Sequence, residues 1–156
     1  MAVVAPTKLT TTVDGLTDTV GTPFGPSQWR QISQAEVQAF ADLTGDLNPI
    51  HIDQAVAAAS PFGGTIVHGY FTLSLVVPLM AEIFSVTDVV TGVNYGLDRL
   101  RFPAPVPVGA RIRLRGEVTQ AAAIQGGTQI TVTATFEVEG SEKPACVAEI
   151  VLRYYK

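Results

Sequence analysis

The sequence is short of charge. Only 15% of its 156 residues are charged, against roughly 25% in an average soluble protein, while hydrophobic residues reach 47%. We therefore expect apolar surface that a second copy covers, most simply in a homodimer. The net charge of −4 argues against a nucleic-acid binder, which needs a basic surface. The length fits one domain with a substantial core.

Cysteine occurs once, at Cys146, which excludes a disulfide framework and fits a reducing compartment. The longest apolar run, near residues 70–84, has about 15 residues and contains Pro78 and Glu82, whereas a membrane-spanning helix needs about 20 apolar residues. Residues 1–6 lack the basic start and apolar core of a secretory signal. We expect a soluble, cytoplasmic protein that does not enter a membrane.

Helices are predicted for the first half of the chain. Residues 1–26, rich in threonine, glycine and proline, are expected to form an N-terminal extension that is mostly loop. Ser33 and Glu36 have the spacing of a capping box that starts a helix, and Gly45 is placed to end it in the left-handed conformation. A second short helix is expected to start at Asp53.

The apolar segment from Gly69 to about Ser85 predicts a helix buried on all sides, with a kink at Pro78. Beyond it, apolar and polar residues alternate. Four strands are expected, near residues 89–102, 110–118, 130–138 and 145–154. Helices followed by strands with no helix between them indicate an α+β fold with an antiparallel sheet. Because the apolar sheet face needs a cover, we predict a sheet curved around the apolar helix.

A polar loop lies between these apolar segments. Its sequence, GDLNPIH, places Asp46, Asn48 and His51 around Pro49. Pro49 opposes helical structure at the residue before it, so the loop should be tight and ordered. Taken singly, Asp46 is more typical of an Asx turn, and His51 of an exposed helix start.

Together with Phe40 and Ala57, this loop resembles the hydratase 2 motif of the MaoC-like (R)-specific enoyl-CoA hydratases. The segments IVHG, residues 66–69, and RFPAPVPVG, residues 101–109, are similar to the same family, especially to its short single-domain actinobacterial members. The resemblance covers nearly all of the expected domain, residues 27–156. It implies the hot-dog fold, in which a curved antiparallel sheet wraps around a long central helix.

The resemblance also implies an activity: the reversible addition of water to a trans-2-enoyl-CoA thioester, giving (R)-3-hydroxyacyl-CoA, without a further cofactor. Asp46 is then the general base, and His51 holds the water and shares the proton transfer. The amide of Gly69 donates to the thioester oxygen. For Asn48 and for His68, both loop bracing and substrate binding stay open.

Other features leave alternatives. Some family members carry a serine in the central helix that supports the aspartate, whereas Val77 takes that place here.

Arginines cluster in one part of the sequence: Arg99, Arg101, Arg111, Arg113 and Arg115. They either bind phosphates of coenzyme A, with Arg101 taken as substrate-binding, or form a solvated strand face. The two histidines and the distant cysteine match no zinc spacing, so no metal is expected.

Three competing functions are a dehydratase of acyl-carrier-protein thioesters, a hot-dog acyl-CoA thioesterase and a non-catalytic acyl-CoA-binding domain. The GDLNPIH loop disfavours the thioesterase, because those enzymes lack the motif. The intact pair of Asp46 and His51 disfavours the binding domain.

Overall fold

The computed structural model describes residues 7–156, so the expectation that residues 1–6 form no signal lies outside the described part. No helix of the described residues is long and apolar enough to cross a membrane. The elements, in chain order, are β1 (Leu9–Thr11), a 3₁₀ helix (Asp14–Thr19), β2 (Pro23–Phe24), β3 (Arg30–Gln31), α1 (Gln34–Thr44), α2 (Pro49–Ile52), α3 (Gln54–Ala58), α4 (Gly69–Ser74), α5 (Val76–Ile83), β4 (Phe84–Val86), β5 (Thr91–Arg101), β6 (Arg111–Ile124), β7 (Gly127–Val138) and β8 (Cys146–Tyr155).

The four long strands form an antiparallel sheet in the order β6–β7–β8–β5, and the short β2 and β3 both pair with β6. The buried side chains of its inner face join those of α4 and α5 in one core: Phe71, Leu79, Ile83, Ile112, Leu114, Ile130, Val132, Phe136, Ile150 and Leu152. The predicted α+β fold, a sheet packed around a central helix, is confirmed. β5 lies at an edge of this sheet.

The central helix is not continuous. Pro78 has no amide hydrogen, and its ring would crowd the carbonyl of Ser74, four residues earlier. The helix is interrupted at Leu75, whose amide donates to the carbonyls of both Phe71 and Thr72, at 3.3 and 3.2 Å. The predicted kink therefore takes the form of a break between α4 and α5.

The prediction that this helix is buried on all sides is wrong for the single chain. Tyr70, Ser74, Val77 and Ala81 are all exposed, and their helical spacing places them on one stripe. The sequence pattern was apolar on both faces because the stripe itself carries apolar residues. No other part of residues 7–156 covers this stripe.

Residues 7–26 differ from the expected loop. β1 pairs in parallel with β4, and β2 pairs with β6. Between them, Val13 and Leu16 are fully buried. These residues form structure because they pair with strands far along the chain, and local composition does not reveal such partners.

Candidate active site

The polar loop starts where α1 ends, and both ends of α1 are set by local chemistry. The Ser33 hydroxyl accepts from the Glu36 amide at 3.3 Å, and the Glu36 carboxylate accepts from the Ser33 amide at 2.8 Å, which confirms the capping box. Gly45 ends the helix with φ of 77°, a conformation that glycine adopts without steric cost. Asp46 is therefore the first residue after a well-defined helix end.

Asn48 organises the middle of this loop. Its side-chain oxygen accepts from the Ile50 amide at 3.3 Å, so Asn48 caps α2, whose first residue is Pro49. Proline is favoured at the first position of a helix, because an amide hydrogen there would have no acceptor within the helix. The result places His51 within a helical turn, on the same side of the loop as Asp46. Substrate binding by Asn48 stays a prediction.

The structure brings three of the expected site residues together. A carboxylate oxygen of Asp46 and one ring nitrogen each of His51 and His68 all lie within 4.8 Å of one another. Asp46 is exposed, whereas His51 and His68 are buried. The two imidazole rings stack with centroids 3.8 Å apart and planes inclined by 29°.

This spacing alone would also suit a metal ion, but the stacking does not. An imidazole nitrogen binds a metal through a lone pair in the plane of its own ring. The stacked rings, inclined by 29°, direct their in-plane lone pairs along different planes, which is an unfavourable arrangement for one ion bound by both. The spacing of the three groups therefore does not by itself identify a metal site.

The orientation of His51 fixes which of its nitrogens is basic. Its Nδ1 lies 2.7 Å from the carbonyl oxygen of Ile66. Since a carbonyl only accepts, Nδ1 carries the hydrogen and Nε2 keeps the lone pair. Burial lowers the pKa of His51 below its usual 6.5, and the Ile66 carbonyl and the Asp46 carboxylate, which act the other way, do not offset it. At neutral pH, Nε2 is thus a free proton acceptor.

His51 also lines an apolar pocket of about 360 Å³, a size within the usual range for small-molecule sites. The lining consists of His51, Phe62, Ile66, Val67, Gly69, Thr72, Phe102, Pro103, Ala104, Pro105, Val106 and Ala145. Phe62 and Phe102 are large apolar side chains that remain partly exposed. Sequence reasoning did not single out Phe62; an aromatic residue directly before Gly63 and Gly64 was the available signal.

Gly69 contributes backbone rather than a side chain. It is the first residue of α4, so its amide has no acceptor within the helix, and it faces the pocket. The pocket lining thus includes a histidine and a helix-start residue whose amide has no acceptor within its helix. A thioester carbonyl requires such a donor when its oxygen gains charge.

Most of the arginine cluster is occupied by carboxylates of the neighbouring strand. Arg111 pairs with Glu139, and Arg113 and Arg115 both pair with Glu137, Arg115 at 2.7 Å. These contacts favour the solvated strand face over phosphate binding. Burial would raise the pKa of Glu137, but the hydrogen bonds from the two arginines outweigh it, and the pKa is lowered.

Arg101 differs from these arginines. Its guanidinium donates to the carbonyl oxygen of Leu100 at 2.7 Å, and among residues 7–156 it forms no ion pair with a carboxylate. The next residue, Phe102, lines the pocket. Arg101 is therefore the member of the cluster whose charge no carboxylate of residues 7–156 compensates.

Val77, the position where some relatives have a serine, lies away from this pocket in the chain. It is exposed on α5 and lines a separate apolar pocket of about 280 Å³ with residues of β4, β5 and β8. The support that the family serine gives the aspartate is thus not replaced by Val77.

Known proteins resemble this chain over most of its length. The MaoC like domain matches residues 16–141. The chain is 49% identical over 143 residues to 3-hydroxyacyl-thioester dehydratase Z of Mycobacterium tuberculosis, covering 91% of this chain and 95% of that protein. Nodulation protein N of Rhizobium leguminosarum bv. viciae is 39% identical over 136 residues, covering 83% of this chain and 82% of that one. An (R)-hydratase from A. caviae involved in PHA biosynthesis superposes with a TM-score of 0.70 at 31% identity, over 85% of this chain and 94% of that one.

Proposed function

The chain belongs to the family of MaoC-like dehydratases, has their hot-dog fold and is a lyase, and we propose that it interconverts (R)-3-hydroxyacyl thioesters and trans-2-enoyl thioesters. The observation that carries this proposal is the convergence of Asp46 and His51 beside an apolar pocket that His51 and the helix-start residue Gly69 both line. The reaction has three requirements, and residues of this site can meet each of them.

The first requirement is an activated water. The carboxylate of Asp46 and the Nε2 lone pair of His51 are both acceptors, so one water molecule can donate a hydrogen to each. Its oxygen lone pair is then directed at C3 of the enoyl group. Asp46 takes the proton as general base while His51 holds the water and shares the transfer.

The second requirement is the delivery of a proton to C2 of the substrate. The water oxygen bonds to C3, the C2–C3 π electrons move toward the thioester, and an enolate forms. The proton taken from water then returns to C2, so atoms and charge balance without any co-reactant. In the dehydration direction the same groups remove the C2 proton and protonate the leaving hydroxyl. We propose that no cofactor takes part beyond the thioester itself.

The third requirement is stabilisation of the enolate oxygen. The amide of Gly69 is the donor that we assign to it, acting in a pocket lined mainly by apolar side chains, where a hydrogen bond to developing charge is strong. We assign Arg101 to the phosphate-bearing part of the thioester, because an uncompensated guanidinium binds phosphate well. The substrate is thus held by its charged end outside the pocket and by its acyl end within it.

We further propose that the enzyme works as a homodimer. β5 is an edge strand of 11 residues, and Val93, Tyr95 and Leu97 are large apolar side chains that it leaves exposed. Such an edge invites pairing with another strand. Two copies of β5 related by a two-fold axis would continue the sheet and cover these side chains.

The decisive experiment follows the enoyl absorbance of trans-2-butenoyl-CoA with the purified protein. We expect the absorbance to fall and the product, after hydrolysis and chiral chromatography, to be (R)-3-hydroxybutyrate. The Asp46→Asn protein serves as the inactive control, and Glu149→Gln, changed on the sheet, as the active one. Release of free thiol without loss of the double bond would instead identify a thioesterase. Parallel assays with the acyl-carrier-protein thioester decide which carrier is preferred.

A further inference from the structure

The segment Ile66–His68 is bonded to the polar loop at both ends of that loop. The Ile66 amide donates to the Ile50 carbonyl at 3.1 Å, and the Ile66 carbonyl accepts from His51 Nδ1 at 2.7 Å. His68 Nε2 donates to the backbone carbonyl of Asp46 at 3.1 Å. Two residues of one short segment thus contact both members of the acid–base pair.

His68 is held tightly at this position. Its side chain is only 2% exposed, and its ring lies between that of Phe40, with centroids 5.0 Å apart, and that of His51 at 3.8 Å. Because the Asp46 carbonyl only accepts, the hydrogen of His68 is on Nε2 and its Nδ1 keeps a lone pair. That Nδ1 is buried and has no partner among the described residues.

A buried acceptor without a partner reduces stability. A phenylalanine at position 68 would fill the same space without this penalty, so packing alone does not account for the imidazole. What a phenylalanine could not supply is the hydrogen bond to Asp46. The polar ring is therefore explained by its contacts with the acid–base pair.

We propose that His68 is a positioning residue for the acid–base pair: its Nε2 hydrogen fixes the backbone of Asp46, and its ring face fixes the plane of His51. This inference rests on the proposed function for its catalytic consequence. Held in this plane, the His51 ring meets the Ile66 carbonyl with Nδ1 and leaves Nε2 for the water. His68 itself needs no contact with the substrate.

The charges around His51 also connect its pKa with His68. The charged and titratable groups that face His51 are Asp46, on the polar loop, and His68, on the segment before α4. Beyond burial, His68 lowers the pKa of His51, because a proton on each of the two stacked rings would place like charges together, whereas the Asp46 carboxylate raises it. Removing His68 should therefore raise the pKa of His51 and move the acid limb of the activity profile to higher pH.

Two substitutions separate the two contacts. His68→Phe keeps a stacked ring but loses the bond to Asp46, and His68→Gln offers an amide donor to Asp46 but loses the ring. We expect kcat to fall by roughly tenfold to a hundredfold in both, with KM nearly unchanged, because small misplacements of reacting groups cost rate. The acid limb should move to higher pH in both.

Long-range ¹H–¹⁵N NMR of the histidines provides a readout that needs no activity. In the unmodified protein we expect hydrogen on Nδ1 of His51 and on Nε2 of His68. His68→Phe should retain the single His51 form, and His68→Gln should show exchange between both forms.

Each outcome decides the matter. The opposite tautomers in the unmodified protein would overturn the inference even if neither variant folds. Folded variants with reduced thermal stability but unchanged kcat, pH profile and His51 signals would make His68 a purely structural residue. If the unmodified protein lacks hydratase activity but shows the expected tautomers and their response to His68→Gln, the proposed function fails while the positioning by His68 stands.

Discussion

Gly69 and Phe102 fit together because Gly69 has no side chain. A Cβ atom at position 69 would lie 2.9 Å from the Cε2 atom of the Phe102 ring, closer than van der Waals contact allows. The ring edge therefore occupies the space that a side chain at position 69 would need, in the pocket that both residues line.

This contact separates two roles of Gly69. Gly69→Ala adds a Cβ and keeps the amide, so the partly exposed Phe102 ring must move. Gly69→Pro adds a Cβ and also removes the amide. The backbone of His68, with φ of −57° and ψ of 138°, suits a residue that precedes proline. We expect Gly69→Pro to lower kcat about a hundredfold relative to Gly69→Ala, the loss of one oxyanion donor. Equal turnover of the two folded variants would remove the amide from the mechanism.

The acid–base pair should behave as one unit. Asp46→Asn and His51→Ala should each lower kcat/KM by about a hundredfold or more, because each removes part of a proton-transfer pair. The double variant should be little worse than the worse single one, since both groups act on the same water. A double-mutant cycle of thioester hydration tests this, with folding checked by circular dichroism. Strictly additive losses would show that the residues act in separate steps.

The lowered pKa of His51 gives a pH dependence of known sign. Activity needs the Nε2 lone pair, so the acid limb of kcat/KM should lie below pH 6.5, the usual value from which the pKa is lowered. In the unfolded chain the pKa of His51 should be near 6.5. Between this pH and the lower pKa of the folded protein, the unfolded chain therefore binds more protons at His51 than the folded protein does. Stability should therefore fall as the pH decreases through this window. Urea titrations across it should show a smaller decrease for His51→Ala, and an unchanged slope would contradict the lowered pKa.

The exposed edge strand predicts a concentration-dependent assembly. We expect a solution mass of twice 16.5 kDa, measured by light scattering at micromolar concentration. Leu97→Asp should shift the protein toward the monomer, because it places a carboxylate on the exposed edge strand β5 that the second copy would pair with. The matched control is Val20→Asp, which changes a similarly exposed apolar residue outside β5. A stable monomer of the unmodified protein would refute the proposed dimer.

The ion pairs of the arginine cluster predict unequal effects of substitutions at two glutamates. Glu137 binds both Arg113 and Arg115, whereas Glu149 lies 3.8 Å from an Arg99 side chain that is 80% exposed. Glu137→Gln should cost about 1 kcal/mol of unfolding free energy, and Glu149→Gln almost nothing, because exposed pairs contribute little. Urea unfolding at low and high salt measures both. Equal effects would mean that Glu137 gains nothing from its two partners.

The sequence by itself determined the features that arise within a few residues. The capping box of Ser33 and Glu36, the helix end at Gly45 and the helix break caused by Pro78 depend on neighbouring groups. The alternation of apolar and polar residues likewise determined the four long strands, and the GDLNPIH motif marked Asp46 and His51. These signals are local because the hydrogen bonds and steric contacts behind them join residues close in sequence.

Only the tertiary structure decided the rest. β1 and β2 form because distant strands pair with them, and Glu137 and Glu139 reach Arg111, Arg113 and Arg115 only through the register of β6 and β7. The stacking of His68 on His51 joins residues on two segments that meet in space, and no sequence pattern fixes a ring plane. Val77 was expected to be buried because the helix pattern is apolar there. An apolar side chain looks the same in the sequence whether it packs in the core or remains exposed on the single chain. Burial and register depend on which distant segments meet, and for that reason they required the folded molecule.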